Sequence, residues 1–463
     1  MRCEWYRWVV LTVVLALAAG GGGARALACG GYGLSAEVLR SIADYPDRPL
    51  PVEKLREQGP EALEELMLLR QRMQRQFERF QKEEPSKETA QQVESLQRRQ
   101  ARLDELIDQV GMQRYCSRSG LYWYTDLEQA KAAARASGKP ILSLRMLGNL
   151  NEDFSCANSR FFRTTLYAND QISKSLRENY VLHWKSVRPV PKVTIDFGDG
   201  RKLERTLTGN SIHYILTTDG DVVEALPGLY GPKAFLRKIN DGVSLARRVA
   251  AMSPEERGQA LVAYHRERLT TLNEEFAKDL AKLGSIRAPA KGSPVVAQRA
   301  VAANELAAPK GRVERRLVEA ALPLATTPEE LQDEGVWQAI AASHTGEAEL
   351  DNASRELIRS QNPTAAVAGR LAITKRVVED PMLRLVRTLQ ETIALDTVRN
   401  EYQLHRRIHQ WLADASYRPE VEVLNERVYG ELFLTPSNDP WLGLAPADVY
   451  TALPNGGVAR TER

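Results

Sequence analysis

The chain has 463 residues, of which 43% are hydrophobic and 27% charged, a composition typical of soluble globular proteins. Its 63 basic and 60 acidic side chains leave a formal net charge of only +3, and no basic stripe with interleaved aromatic residues occurs, so we expect no nucleic-acid partner. At about 100–200 residues per domain, the length predicts two or three domains.

The N-terminal residues predict export. Arg2 and Arg7 precede an apolar run that ends in the small-x-small motif Ala26-Leu27-Ala28, which is the pattern of a cleaved signal peptide. The run is shorter than the ~20 residues of a membrane-spanning helix. We therefore interpret residues 1–28 as a signal peptide and expect a periplasmic or extracellular protein. A lipoprotein anchor at Cys29 is the alternative, and only then would the chain be attached to a membrane.

The predicted mature chain keeps three cysteines, Cys29, Cys116 and Cys156. Export places them in a compartment where disulfides persist, and the odd number leaves at least one free, lipidated or paired with another chain. The preferred arrangement joins Cys29 to Cys116 and leaves Cys156 free. The sequence leaves the other two pairings open.

Residues 29–117 read as an irregular segment followed by a helical hairpin. From about Pro60 to Gly111, apolar residues recur at spacings of three and four on both sides of a break at 83–88. This pattern predicts two helices that pack against each other in antiparallel orientation. A coiled coil that binds a partner is the alternative to a simple packing arm.

Residues 118–242 alternate between helix and strand signals. Thr125 to Glu128 has the form of a capping box, with the Thr125 hydroxyl as the cap of a helix that ends at Gly138. A helix is also predicted from residue 231 onward. The predicted strands and hairpins lie at 140–146, 178–187, 193–207 and 212–228.

Residues 250–463 read as a mostly helical C-terminal region. Ser253 to Glu256 combines an N-cap serine, a proline at the first helical position and a glutamate three residues after the cap. Residues 284–310 have the composition of a linker, and 432–463 that of an extended tail. The predicted fold class is therefore α+β and multi-domain, with a central α/β domain flanked by the helical hairpin and the helical C-terminal region.

The central region resembles the thioredoxin-like superfamily. The phrases "LEQAKAAARASGKPILSL" (residues 127–144) and "GNSIHYILTTDGDVVEALPG" (209–228) carry this resemblance, which covers about residues 118–242 and implies a thioredoxin-like domain in an exported, bacterial-type protein. In "DFSCANSRFF" (153–162), the family's first active-site cysteine maps onto Cys156 and its second onto Ser159. The chain departs from the family by lacking an acid in strand 140–146 and the proline expected near residues 211–212.

The resemblance implies thiol-disulfide exchange or an isomerase-type activity at the Cys-x-x-Ser pair Cys156 and Ser159, with protein thiols or a small thiol as partners and without a cofactor. A sulfur at a helix start meets unpaired amides and the positive end of the helix dipole, and both favour the reactive thiolate. The alternative is a non-catalytic envelope or interaction protein that uses the domain as a scaffold, with Cys156 as a core residue.

Three residues spaced four apart, Glu401, His405 and His409, share one face of a predicted helix. A His-x-x-x-His pair can bind zinc, but the neighbouring stripe of Leu404 and Ile408 favours ordinary packing. We therefore assign no metal ligand from the sequence and keep this trio as a weaker alternative. Two further histidines, His183 and His213, lie on predicted strands and are expected to be buried and hydrogen-bonded.

Overall fold

The computed structural model describes residues 36–42, 49–82, 86–206, 209–285, 334–362 and 381–441. Over these ranges the protein is a mixed α/β structure in which helices predominate around one small five-stranded sheet. The predicted signal peptide with Cys29, most of the predicted linker at 284–310 and most of the predicted tail at 432–463 lie outside the described residues. Among the helices described, none combines the length and the apolar character needed to cross a membrane.

The helices are numbered in chain order. They are α1 (Ala36–Ile42), α2 (Val52–Glu57), α3 (Pro60–Phe80), α4 (Lys87–Gly111), α5 (Cys116–Ser119), α6 (Leu127–Ser137), α7 (Ala157–Phe161), α8 (Asp170–Asn179), α9 (Pro232–Ala250), α10 (Pro254–Ser285), α11 (Glu334–Ser343), α12 (Asn352–Gln361), α13 (Pro381–Arg399), α14 (Arg406–Leu412) and α15 (Val421–Arg427). Three π-helical turns follow α7, α13 and α15, at Phe162–Leu166, Asn400–His405 and Val428–Leu432, and a 3-10 turn spans Thr345–Ala348.

The strands form a five-stranded sheet and a separate hairpin. They are β1 (Trp123–Tyr124), β2 (Ile141–Leu147), β3 (Val181–Arg188), β4 (Lys192–Asp196), β5 (Lys202–Thr206), β6 (Ser211–Leu216) and β7 (Val222–Pro227). The order in the large sheet is β1-β3-β2-β6-β7. Strand β3 runs parallel to β1 and β2, whereas β6 is antiparallel to β2 and β7.

The sheet is buried along its central strands. Every residue of β2, β6 and β7 is buried, which agrees with their nearly continuous apolar sequences. Helix α6 contacts β1, β2 and β3, and α9 contacts β6 and β7. Strand β7 lies at the edge of the sheet, and the π-helical turn after α13 contacts it. The C-terminal helices therefore cover an edge that would otherwise expose unpaired backbone groups.

Two helix starts test the capping predictions. The Ser253 prediction is confirmed, because Glu256 Oε2 accepts hydrogen bonds from the Ser253 amide at 3.0 Å and from its hydroxyl at 2.7 Å. The Thr125 prediction is wrong by one residue, since the N-cap of α6 is Asp126, whose carboxylate accepts from the Gln129 amide at 2.8 Å. A carboxylate gains more than a hydroxyl from the positive end of the helix dipole.

Buried apolar side chains form two clusters. The smaller one lies between α3 and α4 and continues to Cys116 and Tyr122. The larger one begins in the sheet and runs without a break into the C-terminal helices, where it includes Trp337, Ile393 and Trp411. The sheet and the described C-terminal helices therefore share one core.

Candidate functional site

Cys156 lies where the sequence places it, at the N-cap position of α7. Its side chain makes no capping hydrogen bond, is 0% exposed and belongs to the larger apolar cluster. Helix α7 runs directly into the π-helical turn at Phe162–Leu166, and the helix dipole acts mainly within the first turn. Cys156 therefore lies at a helix start, but its sulfur is not accessible to solvent.

Ser159 is also 0% exposed. Its hydroxyl donates to Ser155 Oγ at 2.6 Å and lies 2.8 Å from the Cys156 carbonyl oxygen. Arg163, itself buried, donates to the same Ser155 hydroxyl at 3.3 Å. These contacts hold Ser159 against the backbone of the Cys156 turn.

The proposed disulfide partner Cys116 is fully buried between α4 and the start of β1. Its thiol donates to the Leu121 carbonyl at 3.4 Å, and burial, with the nearby carboxylate of Asp108, raises the pKa of the thiol far above its usual value. Cys29 lies outside the described residues. The pairing of Cys29 with Cys116 stays a prediction.

The two strand histidines are buried and hydrogen-bonded, as expected. His183 Nδ1 lies 2.7 Å from the Ser143 hydroxyl, and His213 Nε2 lies 2.7 Å from the Tyr167 hydroxyl. Burial lowers the pKa of each to about 3. Both are therefore neutral at physiological pH and serve the packing of the sheet.

A buried polar cluster lies at the covered edge of the sheet. It consists of Glu224 on β7, His265 on α10, His405 in the π-helical turn after α13 and His409 on α14, and all four side chains are buried. One potential ligand atom from each of Glu224, His265 and His409 lies within 4.8 Å of the others. We refer to the four residues as the Glu224 cluster.

The contacts inside the Glu224 cluster are short. His405 Nε2 lies 3.0 Å from Glu224 Oε1, and His265 Nδ1 lies 2.8 Å from His409 Nδ1. His409 Nε2 lies 4.0 Å from Glu224 Oε2 and has no hydrogen-bond partner among the described residues. Tyr264 donates its hydroxyl to Glu224 Oε2 at 2.7 Å.

Electrostatics fix the charge states in the Glu224 cluster. Burial alone would raise the pKa of Glu224, but the surrounding histidines, with a hydrogen bond from His405, hold that pKa well below the usual range. Burial lowers the pKa of His265 to about 4, and burial together with His405 lowers the pKa of His409 well below its usual value. At neutral pH Glu224 is therefore a carboxylate and His265 and His409 are neutral imidazoles, whereas Glu224 and Glu401, against the effect of burial, raise the pKa of His405.

A cleft of about 590 Å³ has one member of the Glu224 cluster, His265, on its lining. Its walls come from α6, the β6–β7 turn, the first half of α10 and the segment around α15, and His265 is one of the lining residues. Arg257 and Asp221 form an ion pair at 2.5 Å on its wall. The His265 side chain is itself buried, so the cleft lies beside the cluster and does not open it to solvent.

Comparisons with protein-family models, with curated proteins and with solved structures give no match for this chain.

The helical spacing of Glu401, His405 and His409 identified one edge of this cluster. It did not identify Glu224 and His265, which come from a strand and from another helix. A signal for Glu224 was present, because it is the one charged residue within the apolar strand sequence "VVEALP", and a buried charge needs a partner. Glu401 lies beside the cluster and contacts His405 Nδ1 at 3.2 Å.

Proposed function

We propose that this chain is an exported, non-catalytic protein in which a thioredoxin-like domain, about residues 118–242, serves as a scaffold for the helices around it. The chain order of β1, α6, β2, α7 with Cys156 at its N-cap, α8, β3, the β6–β7 hairpin and α9 supports this domain. The shared core supports the scaffold role, because the C-terminal helices pack directly on the sheet.

The observation that carries this proposal is the burial of Cys156. Thiol-disulfide exchange requires a thiolate that can reach a disulfide sulfur of the substrate. The Cys156 side chain is 0% exposed within an apolar cluster, and Ser159 is held by Ser155 and the backbone. A buried thiol of this kind behaves as a small apolar side chain.

Two elements of the scaffold lie outside the larger core. The hairpin of α3 and α4 has its own apolar cluster, and the Arg70–Asp104 ion pair links its helices at 2.6 Å. The β4–β5 hairpin forms a separate two-stranded sheet and exposes Phe197 at its turn. These are the elements with which an interaction protein would reach other molecules.

The test compares the wild-type chain with Ser159→Cys, which recreates the Cys-x-x-Cys spacing. Each folded protein is incubated with glutathione disulfide, and mixed disulfides are located by peptide mass spectrometry. We expect no mixed disulfide at Cys156 in the wild type, and in Ser159→Cys neither a mixed disulfide nor an internal disulfide between Cys156 and the introduced thiol, until urea unfolds the chain, because the sulfur is inaccessible in the native state.

The unfolded wild-type chain is the positive control for modification of Cys156, and circular dichroism checks that Ser159→Cys is folded. Rapid formation of a mixed disulfide at Cys156 in the folded wild-type chain would refute the scaffold proposal and favour thiol-disulfide exchange.

A further inference from the structure

We propose that Glu224, His265 and His409 form a binding site for a divalent transition-metal ion, with Zn²⁺ as the first candidate. The site would join the edge strand β7 to α10 and α14, and none of its ligands comes from the Cys156 turn. Two imidazoles and one carboxylate are a ligand set that proteins use for zinc and for other first-row metals.

The first support is a ring nitrogen without a partner. His409 is fully buried, and its Nε2 has no hydrogen-bond partner among the described residues, although burying an unpaired polar atom costs free energy. This atom lies 4.0 Å from Glu224 Oε2. Two ligand atoms that share a tetrahedral zinc ion are about 3.4 Å apart, so a small adjustment would let one ion bind both.

The second support is the ring of groups that hold the ligands. The Ala225 amide donates to Glu224 Oε1 at 2.8 Å and the Tyr264 hydroxyl to Glu224 Oε2 at 2.7 Å. His405 also contacts this carboxylate and is oriented by Glu401 at its other nitrogen. Such outer contacts fix ligand orientation in metal sites, and a carboxylate has lone pairs left after accepting them.

The third support is the local backbone and the access route. The turn at Asn400–His405 is π-helical, and π-helical turns inside α-helices occur often at functional sites. It separates α13 from α14 and places His405 and His409 against β7 and α10. The cleft of about 590 Å³ has the buried His265 on its lining, so it is the side from which an ion would reach the ligands.

The test measures metal binding by the full chain, purified without a histidine tag and without chelator. Elemental analysis gives the metal content as isolated, and Zn²⁺ and Co²⁺ are then titrated into chelator-treated protein. We expect about one ion per chain and, with Co²⁺, the visible absorption typical of low coordination numbers. We also expect Zn²⁺ to raise the thermal midpoint, because an ion that binds only the folded state stabilises it.

Variants locate the ion. We expect His409→Gln and Glu224→Gln to lose stoichiometric binding, and His405→Gln to weaken it by roughly 10–100-fold as an outer contact. His344→Gln, which changes a histidine outside the cluster, is the matched control and should bind as the wild type does.

The wild-type titration alone decides the proposal if a cluster variant fails to fold. Folded wild-type protein that takes up neither Zn²⁺ nor Co²⁺ at stoichiometric levels would overturn the site. Equal uptake by a folded His409→Gln variant would do the same, because the ion would then be bound elsewhere.

Discussion

At the scale of single residues, the charge state of each histidine depends on the groups that it contacts. His344 follows α11 and differs from the strand histidines because it faces carboxylates. Its Nε2 lies 2.8 Å from Asp279 and its Nδ1 lies 3.7 Å from Glu347. The close contact with the Glu347 carboxylate, opposed by burial and supported by the hydrogen bond with Asp279, raises the pKa of His344. Both carboxylates also contact a cation, since Lys282 pairs with Asp279 and Arg237 pairs with Glu347.

The raised pKa of His344 predicts a pH-dependent contribution to stability. The contribution is complete below the unfolded-state pKa of about 6.5 and is lost as pH rises through the higher folded-state pKa. Urea unfolding of the wild type and His344→Gln should therefore differ most at about pH 5.5 and progressively less above about pH 6.5. Asp279 and Glu347, whose pKa values are lowered, stay ionised over this range. A difference that does not change with pH would contradict this account.

At the scale of elements, α15 is attached to the sheet by an unusual ion pair. Arg145 lies on the central strand β2 with its side chain 0% exposed, and it donates to Glu422 of α15 at 2.9 Å. Lys185 on β3 contacts the same carboxylate at 3.2 Å but is half exposed. Breaking a pair whose charged partner stays buried costs much more than breaking an exposed one.

Glu422→Gln should therefore destabilise the protein by about 1–3 kcal/mol, since Arg145 would keep only neutral acceptors. Lys185→Gln removes the exposed partner of the same carboxylate and should change the free energy of unfolding by less than about 0.5 kcal/mol. Urea unfolding at neutral pH measures both values. If the two variants lost similar amounts of unfolding free energy, the burial of Arg145 would not determine the strength of its ion pair with Glu422.

Sequence signals predicted the elements better than the contacts between them. The capping box at Ser253 and the apolar stripes of α3 and α4 are local patterns, and the helices form where they indicate. The Glu224 cluster joins residues up to 185 positions apart in the chain, as in the contact between Glu224 and His409. No local periodicity contains that information, because it arises when the C-terminal helices cover the edge of the sheet. Likewise, the position of Cys156 at a helix start did not determine whether its side chain is buried.

At the scale of the whole molecule, the central claim is that Cys156 belongs to the core shared by the sheet and the C-terminal helices. Access to such a side chain requires the core to open, and the free energy of that opening approaches the global free energy of unfolding. Local opening near the surface would instead expose the thiol at little cost and with little dependence on denaturant.

The most direct test is the rate at which an alkylating reagent labels Cys156 in native protein, followed by peptide mass spectrometry at increasing low concentrations of urea. We predict slow labelling whose logarithm rises with urea with the same slope as global unfolding. Fast labelling that is independent of urea would show an accessible thiol and would contradict the scaffold account.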